Sequence, residues 1–372
     1  MITINYSSDI LNGTLKLLKA SSLDEALYGV SKTKHAMRVS IKPNMVLARH
    51  PSEGATTHAE VVEGIIIFLR EHGIRDIEII ESAWLGDNTK RVYKVCGYDK
   101  LSEKYNVPIH DLKDDKVRRV QAGEYNFEIF EKALDTDFLI NVPVLKAHCQ
   151  TRMTCCFKNL KGCISDREKR RFHEIGLHKP IAYLNKAIKT HFCVVDGICG
   201  DLSFEEGGNP ITRNMLLCGE NPFEVDCYCA GLLGYAVDEI EYLQEYMDLR
   251  EHGRTQFAPT DIVEINADKK PVMDKPDGGL VQRLAANVIE DKACSACYSA
   301  LINGLNRVHY RGGKIAVGQG FKGKSGISGQ NVRIGGQNVR IGCGNCTSGF
   351  DKFIKGCPPS AVEVSEFLRT VD

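Results

Sequence analysis

Residues 36–82, AMRVSIKPNMVLARHPSEGATTHAEVVEGIIIFLREHGIRDIEIIES, hold the most informative pattern in the chain. "AMRVSIKPNMV" (36–46) reads as a strand that ends in a Lys-Pro-Asn turn. "THAEVVEGIIIFLREHG" (57–73) places apolar residues at helical spacing. Thr57 stands where a cap is needed, Glu60 follows three residues on, and Gly73 supplies a stop. "DIEIIES" (76–82) is an apolar run of strand length. Strand, helix and strand make a βαβ unit, which implies parallel pairing through a right-handed crossover.

The alternation continues outward. A helix is expected near 88–97, and strands at "VPIHDL" (107–112), "FLINVPVLK" (138–146), "HFCVVDGI" (191–198) and "TDIVEINA" (260–267). "NMLLCGENPFEVDCYCAGLLGY" (214–235) reads as strand, turn and helix, and 237–253 as an amphipathic helix. "TRMTCCFKNLKGC" (151–163) predicts a helix, and the charged run 167–179 predicts a solvated loop in preference to an anion-binding lid. The predicted fold class is α/β: an open, mainly parallel sheet, with room for two lobes, and a small C-terminal cysteine-rich module. The body is expected over 1–267, with a lobe boundary near 125–136. A Pro/Asp/Lys/Gly-rich linker follows over 268–279, and the module over 280–372.

Composition narrows the function. Among 372 residues, Lys plus Arg and Asp plus Glu each number 48, so no net charge favours nucleic acid or an anionic membrane surface as partner. The longest apolar runs are too short to span a bilayer, and the N-terminus lacks the basic-then-apolar order of a secretory signal. A cytoplasmic location is therefore expected. Fifteen cysteines are many for such a chain, and disulfides are rare in that compartment. Ten of them stand in apolar or helical contexts and read as small buried side chains. The remaining five cluster near the C-terminus: Cys294 and Cys297 in "KACSACYS", then Cys343, Cys346 and Cys357 in "IGCGNCTSGFDKFIKGCPP" (341–359). Between the two groups "GQNVRIG" occurs twice in tandem, at 329–335 and 336–342, which reads as a local duplication that lengthens a loop, with Gly335-Gly336 able to form a tight hairpin.

A Cys-x-x-Cys turn brings two sulfurs to one side, and an iron–sulfur cluster needs four thiolates in one small volume. Zinc is the main competitor, because a zinc ribbon also uses two such pairs. A dithiol switch would need only one pair. The order Cys-x-x-Cys, Gly-x-Cys, Gly-Cys-Pro-Pro resembles the ligand pattern around the proximal [4Fe–4S] cluster of nickel–iron hydrogenase small subunits and their complex I relatives. That resemblance implies Cys294, Cys297, Cys346 and Cys357 as ligands, with Cys343 the alternative to Cys346.

"IKPN" (41–44), "TTHAEVVEGIIIFLREHG" (56–73), "NVPVLKAH" (141–148), "TCCFKNLKG" (154–162), "VVDGI" (194–198) and "GENPFEVDCYCAGLLG" (219–234) resemble the domain-of-unknown-function family 362 (DUF362). Its members often carry a C-terminal iron–sulfur module, and the family implies no particular reaction. In strand–helix order the body is also similar to the nickel-dependent lactate racemase family. The chain has neither that family's Asp-His-Thr-Arg motif nor its Pro-Pro-His motif, so the pincer cofactor is not implied.

Ligands of open α/β sheets bind beyond the carboxyl ends of parallel strands. Lys42 and Asn44, Glu81, Lys146 and His148, and Asp196 all fall at such ends, and Lys158, Asn159 and Lys161 follow on the next segment. Lys42, Asn44, Lys158, Asn159, Lys161 and Asp196 are read as binding an anionic small molecule, with His148 and Lys146 as general acid–base groups. His58 is a further candidate at a helix start, and Asp226 a weaker one on a helix. No Gly-x-Gly-x-x-Gly or Walker motif supports a nucleotide site. The function expected is that of a [4Fe–4S] redox enzyme acting on a small anionic substrate, with an electron-transfer protein as a further partner. The alternatives are a non-redox isomerase, racemase or lyase with a structural cluster, and an electron-transfer protein.

Overall fold

The structure is a computed structural model and describes residues 1–30, 37–249, 261–272, 280–324, 333–334 and 337–371. The chain divides into two compact units, one of Met1–Glu168 with His178–Pro276, the other of Lys169–Leu177 with Asp277–Asp372. Part of the expected linker (273–279), the end of the 237–253 helix and much of the first tandem copy lie outside the described residues.

The first unit is an α/β domain around one eight-stranded sheet. Its strands are β1 (Ile2–Tyr6), β2 (Arg38–Pro43), β3 (Asp76–Glu81), β4 (Ile109–Asp111), β5 (Phe138–Val142), β6 (Phe192–Asp201), β7 (Pro210–Gly219) and β8 (Ile262–Ile265). Their spatial order is β8-β1-β7-β6-β5-β2-β3-β4. Only β7 runs against the others: it pairs antiparallel with β6 and β1, and the remaining pairs are parallel. The sheet is therefore open and mainly parallel.

The opening stretch folds as its pattern demands. Val39 and Ile41 of β2 pair with Ile77 and Ile79 of β3, and the helix Ala59–Glu71 crosses between them. That helix buries Val61, Val62, Ile65, Ile66, Phe68 and Leu69 into a hydrophobic core shared with β2, β3 and β5. At about 1.5–3 kcal/mol for each large apolar side chain taken from water, this face outweighs the poor helix propensity of its β-branched residues. The N-cap is His58, which makes no capping bond with its side chain. Thr57 instead joins two strand ends: its hydroxyl accepts from Asn44 N–H and donates to Val142 O, both at 2.8 Å.

Two expectations fail locally. The predicted helix over 151–163 is a short antiparallel hairpin, Lys146–His148 with Arg152–Thr154, followed by one turn of α-helix at Cys156–Asn159 and a 3₁₀ turn at Leu160–Cys163. Arg152 sits at φ 64, a conformation that a helix interior forbids. The charged run is helical over Asp166–Glu174 rather than a loop, and it buries Phe172.

The second unit has its own small sheet: β9 (Val288–Glu290), β10 (Lys314–Val317), β11 (Gln337–Cys343) and β12 (Lys352–Ile354), all parallel in that order. Arg333–Ile334 pairs antiparallel with Gln337 and Asn338, and Gly335-Gly336 lies outside the described residues. Among the described residues no helix is long and apolar enough to cross a membrane.

Candidate functional site

Parallel order brings the carboxyl ends of β2, β3, β5 and β6 to one edge of the body. Lys42 lies there with no exposure, and its ammonium donates to Pro43 O (3.0 Å), Glu81 Oε2 (2.8 Å) and Asn159 Oδ1 (3.0 Å). An ammonium has three donors, and all three are used. Glu81 also accepts the N–H groups of Met45 (3.2 Å) and Ser82 (2.7 Å). Asn159 accepts from Asn44 Nδ2 at 2.9 Å and donates to Asn141 Oδ1 at 2.7 Å. The "KNLKG" segment reaches this knot because Gly162 has no side chain: a Cβ there would lie 1.8 Å from Glu81 Oε1. Lys42, Asn44 and Asn159 are thus brought together, and their bonds tie four loops to one another. They form the floor of the edge.

A second knot lies alongside. Lys146 has no exposure and donates to Ala55 O (2.6 Å) and Glu205 O (2.8 Å). Burial, reinforced by the positive charge of Lys158, pulls its pKa down to about 7, against the pull of Glu205, Asp201 and Glu206. His148 Nδ1 accepts the N–H groups of Gln150 (3.1 Å) and Thr151 (3.3 Å), bonding that assigns the proton of the neutral ring to Nε2. Nε2 stands 3.3 Å from Glu205 Oε1. The other Glu205 oxygen accepts Cys149 N–H at 3.1 Å.

Lys158 differs from its neighbours. It is half-buried, and its ammonium has no hydrogen-bond partner among the described residues. Burial lowers its pKa to about 8, opposed by Glu205 and Cys149. Lys161, also half-buried, sits on the 3₁₀ turn beside it. The edge therefore holds two titratable groups poised near neutrality and an ammonium with unused donors. Glu205 was not singled out from sequence, although "DLSFEEGGN" (201–209) follows the carboxyl end of β6, where such a residue is to be sought.

Asp196 is fully buried and turned to another task. One oxygen accepts both the backbone N–H and the Nδ1 of His58, each at 2.8 Å, and the other accepts Ile198 N–H at 3.1 Å. Burial alone would lower the His58 pKa, but the Asp196 charge and a hydrogen bond to Cys199 raise it to about 10. His58 is thus an imidazolium held by a carboxylate.

The five C-terminal thiols gather in the second unit by the same strand-end rule. Cys294 follows β9 and caps the helix Ser295–Val308, whose first turn carries Cys297. Cys343 ends β11, Cys346 lies on the next turn, and Cys357 follows β12. Asn345 ties these last two segments: its N–H donates to Gly356 O (2.8 Å), and its Oδ1 accepts Gly356 N–H (2.9 Å). Gly344, at φ 86, lets the turn come close to Cys297; a Cβ would lie 3.3 Å from that sulfur. The Cys297 thiol is pushed up by burial and then by Cys343, Cys294, Cys357 and Cys346 around it. Burial and then the charge of Cys357 push the Cys346 thiol up, opposed by the positive charges of Lys322 and Arg170. Cys343 is almost fully buried, and burial alone pushes its thiol up to about 12. Such a cysteine-rich region is suited to binding a metal.

An α/β body with a polar strand edge and a cysteine-rich module is the class these observations define. The chain belongs to the family described as domain of unknown function DUF362, whose model matches residues 39–231. It is 27% identical over 207 residues to a thylakoid-associated protein of Synechocystis sp., a match covering 52% of this chain and 61% of that protein. The chain thus spans about three fifths of that relative's length. The lactate racemase apoprotein from Thermoanaerobacterium thermosaccharolyticum aligns with a TM-score of 0.41 and 13% identity, covering 64% of this chain and 57% of that one. A protein from Thermotoga maritima aligns with a TM-score of 0.36 and 15% identity, over 64% and 56% of the two chains.

Proposed function

We propose that this chain is an iron–sulfur redox enzyme acting on a small carboxylate or phosphate. One observation carries the first half: Cys297 has four other thiols around it, delivered by the loops after three parallel strands. Cys294, Cys297, Cys346 and Cys357 would hold a [4Fe–4S] cluster. Cys346 is preferred to Cys343 because the positive charges of Lys322 and Arg170 act on it and would offset the negative charge of a thiolate-bound cluster. The cluster, when bound, supplies a one-electron relay.

Lys158 carries the second half. A half-buried ammonium with unused donors is an anion site. Beside it, Lys146 is available as a neutral amine near pH 7, and His148 Nε2 stands 3.3 Å from Glu205 Oε1. The Lys42–Glu81–Asn159 knot holds the loops that carry these groups. The same pair of proton-transfer groups favours, as a second reading, an isomerase, racemase or lyase with a structural cluster.

Anaerobic purification tests the cluster. Iron and acid-labile sulfide should each approach about four per chain, and Cys357→Ala should abolish the colour. Stoichiometric zinc without sulfide rejects the proposal. Redox titration then separates the readings. Reduction by dithionite and reoxidation that depends on an added carboxylate or phosphate support the enzyme. A cluster inert to dithionite supports the structural reading.

A further inference from the structure

A second group of thiols lies inside the body. Cys155 and Cys156 begin the helical turn Cys156–Asn159, Asp226 and Cys229 stand three residues apart on the helix Pro222–Leu232, and Cys193 is near the start of β6. All five side chains are completely buried. The ligating atoms of Cys155, Cys156 and Asp226 all lie within 4.8 Å of one another. The Cys155 and Cys156 sulfurs are 3.9 Å apart, close to the ~3.8 Å edge of a tetrahedral thiolate site. The Cys229 and Cys193 thiols stand within electrostatic range of Cys155.

Buried cysteines are usually small apolar side chains, and Asp226 has a structural use: its oxygens accept the N–H groups of Cys156 (2.7 Å) and Phe157 (3.0 Å). Apolar packing does not explain what else is present. Tyr242 is fully buried within electrostatic range of Asp226, Cys155, Cys156 and Cys229, and its hydroxyl has no hydrogen-bond partner among the described residues. Buried hydroxyls are nearly always paired. A buried carboxyl among thiols, tetrahedral sulfur spacing and an orphaned donor beside them form one pattern.

We propose that Cys155, Cys156 and Asp226, the three groups already within 4.8 Å of one another, hold one zinc ion, that Cys229, three residues from Asp226 on the same helix, closes on it as the fourth ligand, and that the Tyr242 hydroxyl donates to a metal-bound thiolate. Three thiols lose their protons to solvent as the ion binds, so no oxidant or reductant takes part. The two backbone bonds to Asp226 orient its carboxylate, as outer partners of metal ligands do. With four protein ligands and no exposure, the site is structural: it pins the helix Pro222–Leu232 to the segment that carries Lys158 and Asn159. This site is independent of the C-terminal cluster.

The test uses the full chain with Cys294, Cys297, Cys343, Cys346 and Cys357 all changed to Ser, so that only the body can hold a thiophilic ion. The reduced protein should retain about one zinc per chain. Co²⁺ in its place should show thiolate charge-transfer bands and the intense visible bands of tetrahedral cobalt. Adding Cys155→Ser and Cys229→Ser should remove both signals, and Cys218→Ser should not. A folded, reduced chain that binds neither Zn²⁺ nor Co²⁺ overturns the proposal, as does binding that survives loss of Cys155 and Cys229. If the five-serine chain does not fold, zinc in the anaerobic wild-type protein decides. About one zinc beside the iron supports the site, and its absence overturns it.

Discussion

Lys42→Met separates a scaffold role from a ligand-binding one. The thioether fills much the same space but removes an ammonium bonded to Glu81, Asn159 and Pro43. Asn159 Oδ1 keeps the bond from Asn44. Glu81 is left as a carboxylate of 2% exposure with only two backbone N–H groups for company. Removing one partner of a buried pair costs about 3–5 kcal/mol, because the other charge stays behind. At roughly 2–4 °C per kcal/mol for a unit of this size, the melting temperature should fall by roughly 6–20 °C. The chain's single tryptophan is Trp84, three residues beyond Glu81, so intrinsic fluorescence reports unfolding of this unit. Lys42→Met with Glu81→Leu should recover most of the loss, since no unpaired charge remains. A loss below about 1 kcal/mol in the single variant, accompanied by weaker phosphate binding, would refute the scaffold reading.

The remaining predictions concern the polar edge and its neighbour. With Lys146 acting as a neutral amine and Lys158 as a cation, kcat/KM should rise with pH through about 7 and fall above about 8; a flat profile from pH 6 to 9 counts against both roles. Lys158→Ala should raise KM for an anionic substrate at least about tenfold while leaving the melting temperature within a few degrees, because the ammonium bonds no other described residue. The His58 pKa stands at about 10 in the fold against an ordinary 6.5, so its pairing stabilises fully below 6.5 and is lost as pH rises through about 10. Asp196→Asn should therefore cost more stability at pH 6 than at pH 10 in denaturant melts, and equal losses at both would show that the pair is not ionic.

Local pattern was enough to name several elements of the body, though not the hairpin at 146–154 or the helix at 166–174. Apolar spacing in 57–73 and the short runs at 38–43, 76–81 and 138–142 are one-dimensional signals, and they implied a mainly parallel sheet. The strand-end rule likewise led from sequence to Lys42, Lys146 and His148, and the Cys-x-x-Cys spacing to the C-terminal thiols. What the sequence could not carry is which donors are already satisfied. Lys42 and Lys158 look alike in the chain, yet Glu81, Asn159 and Pro43 occupy the first and no described residue bonds the second. Thr57 has the composition of a cap, but its hydroxyl is taken by Asn44 and Val142. Cys155 and Cys229 are 74 positions apart, and only the packing of the helix Pro222–Leu232 on the turn Cys156–Asn159 brings their thiols near one another. Sequence determines which groups a chain owns and which element each rides on. Long-range packing decides who spends each donor on whom, because a buried polar group must find its partner wherever the fold happens to place one.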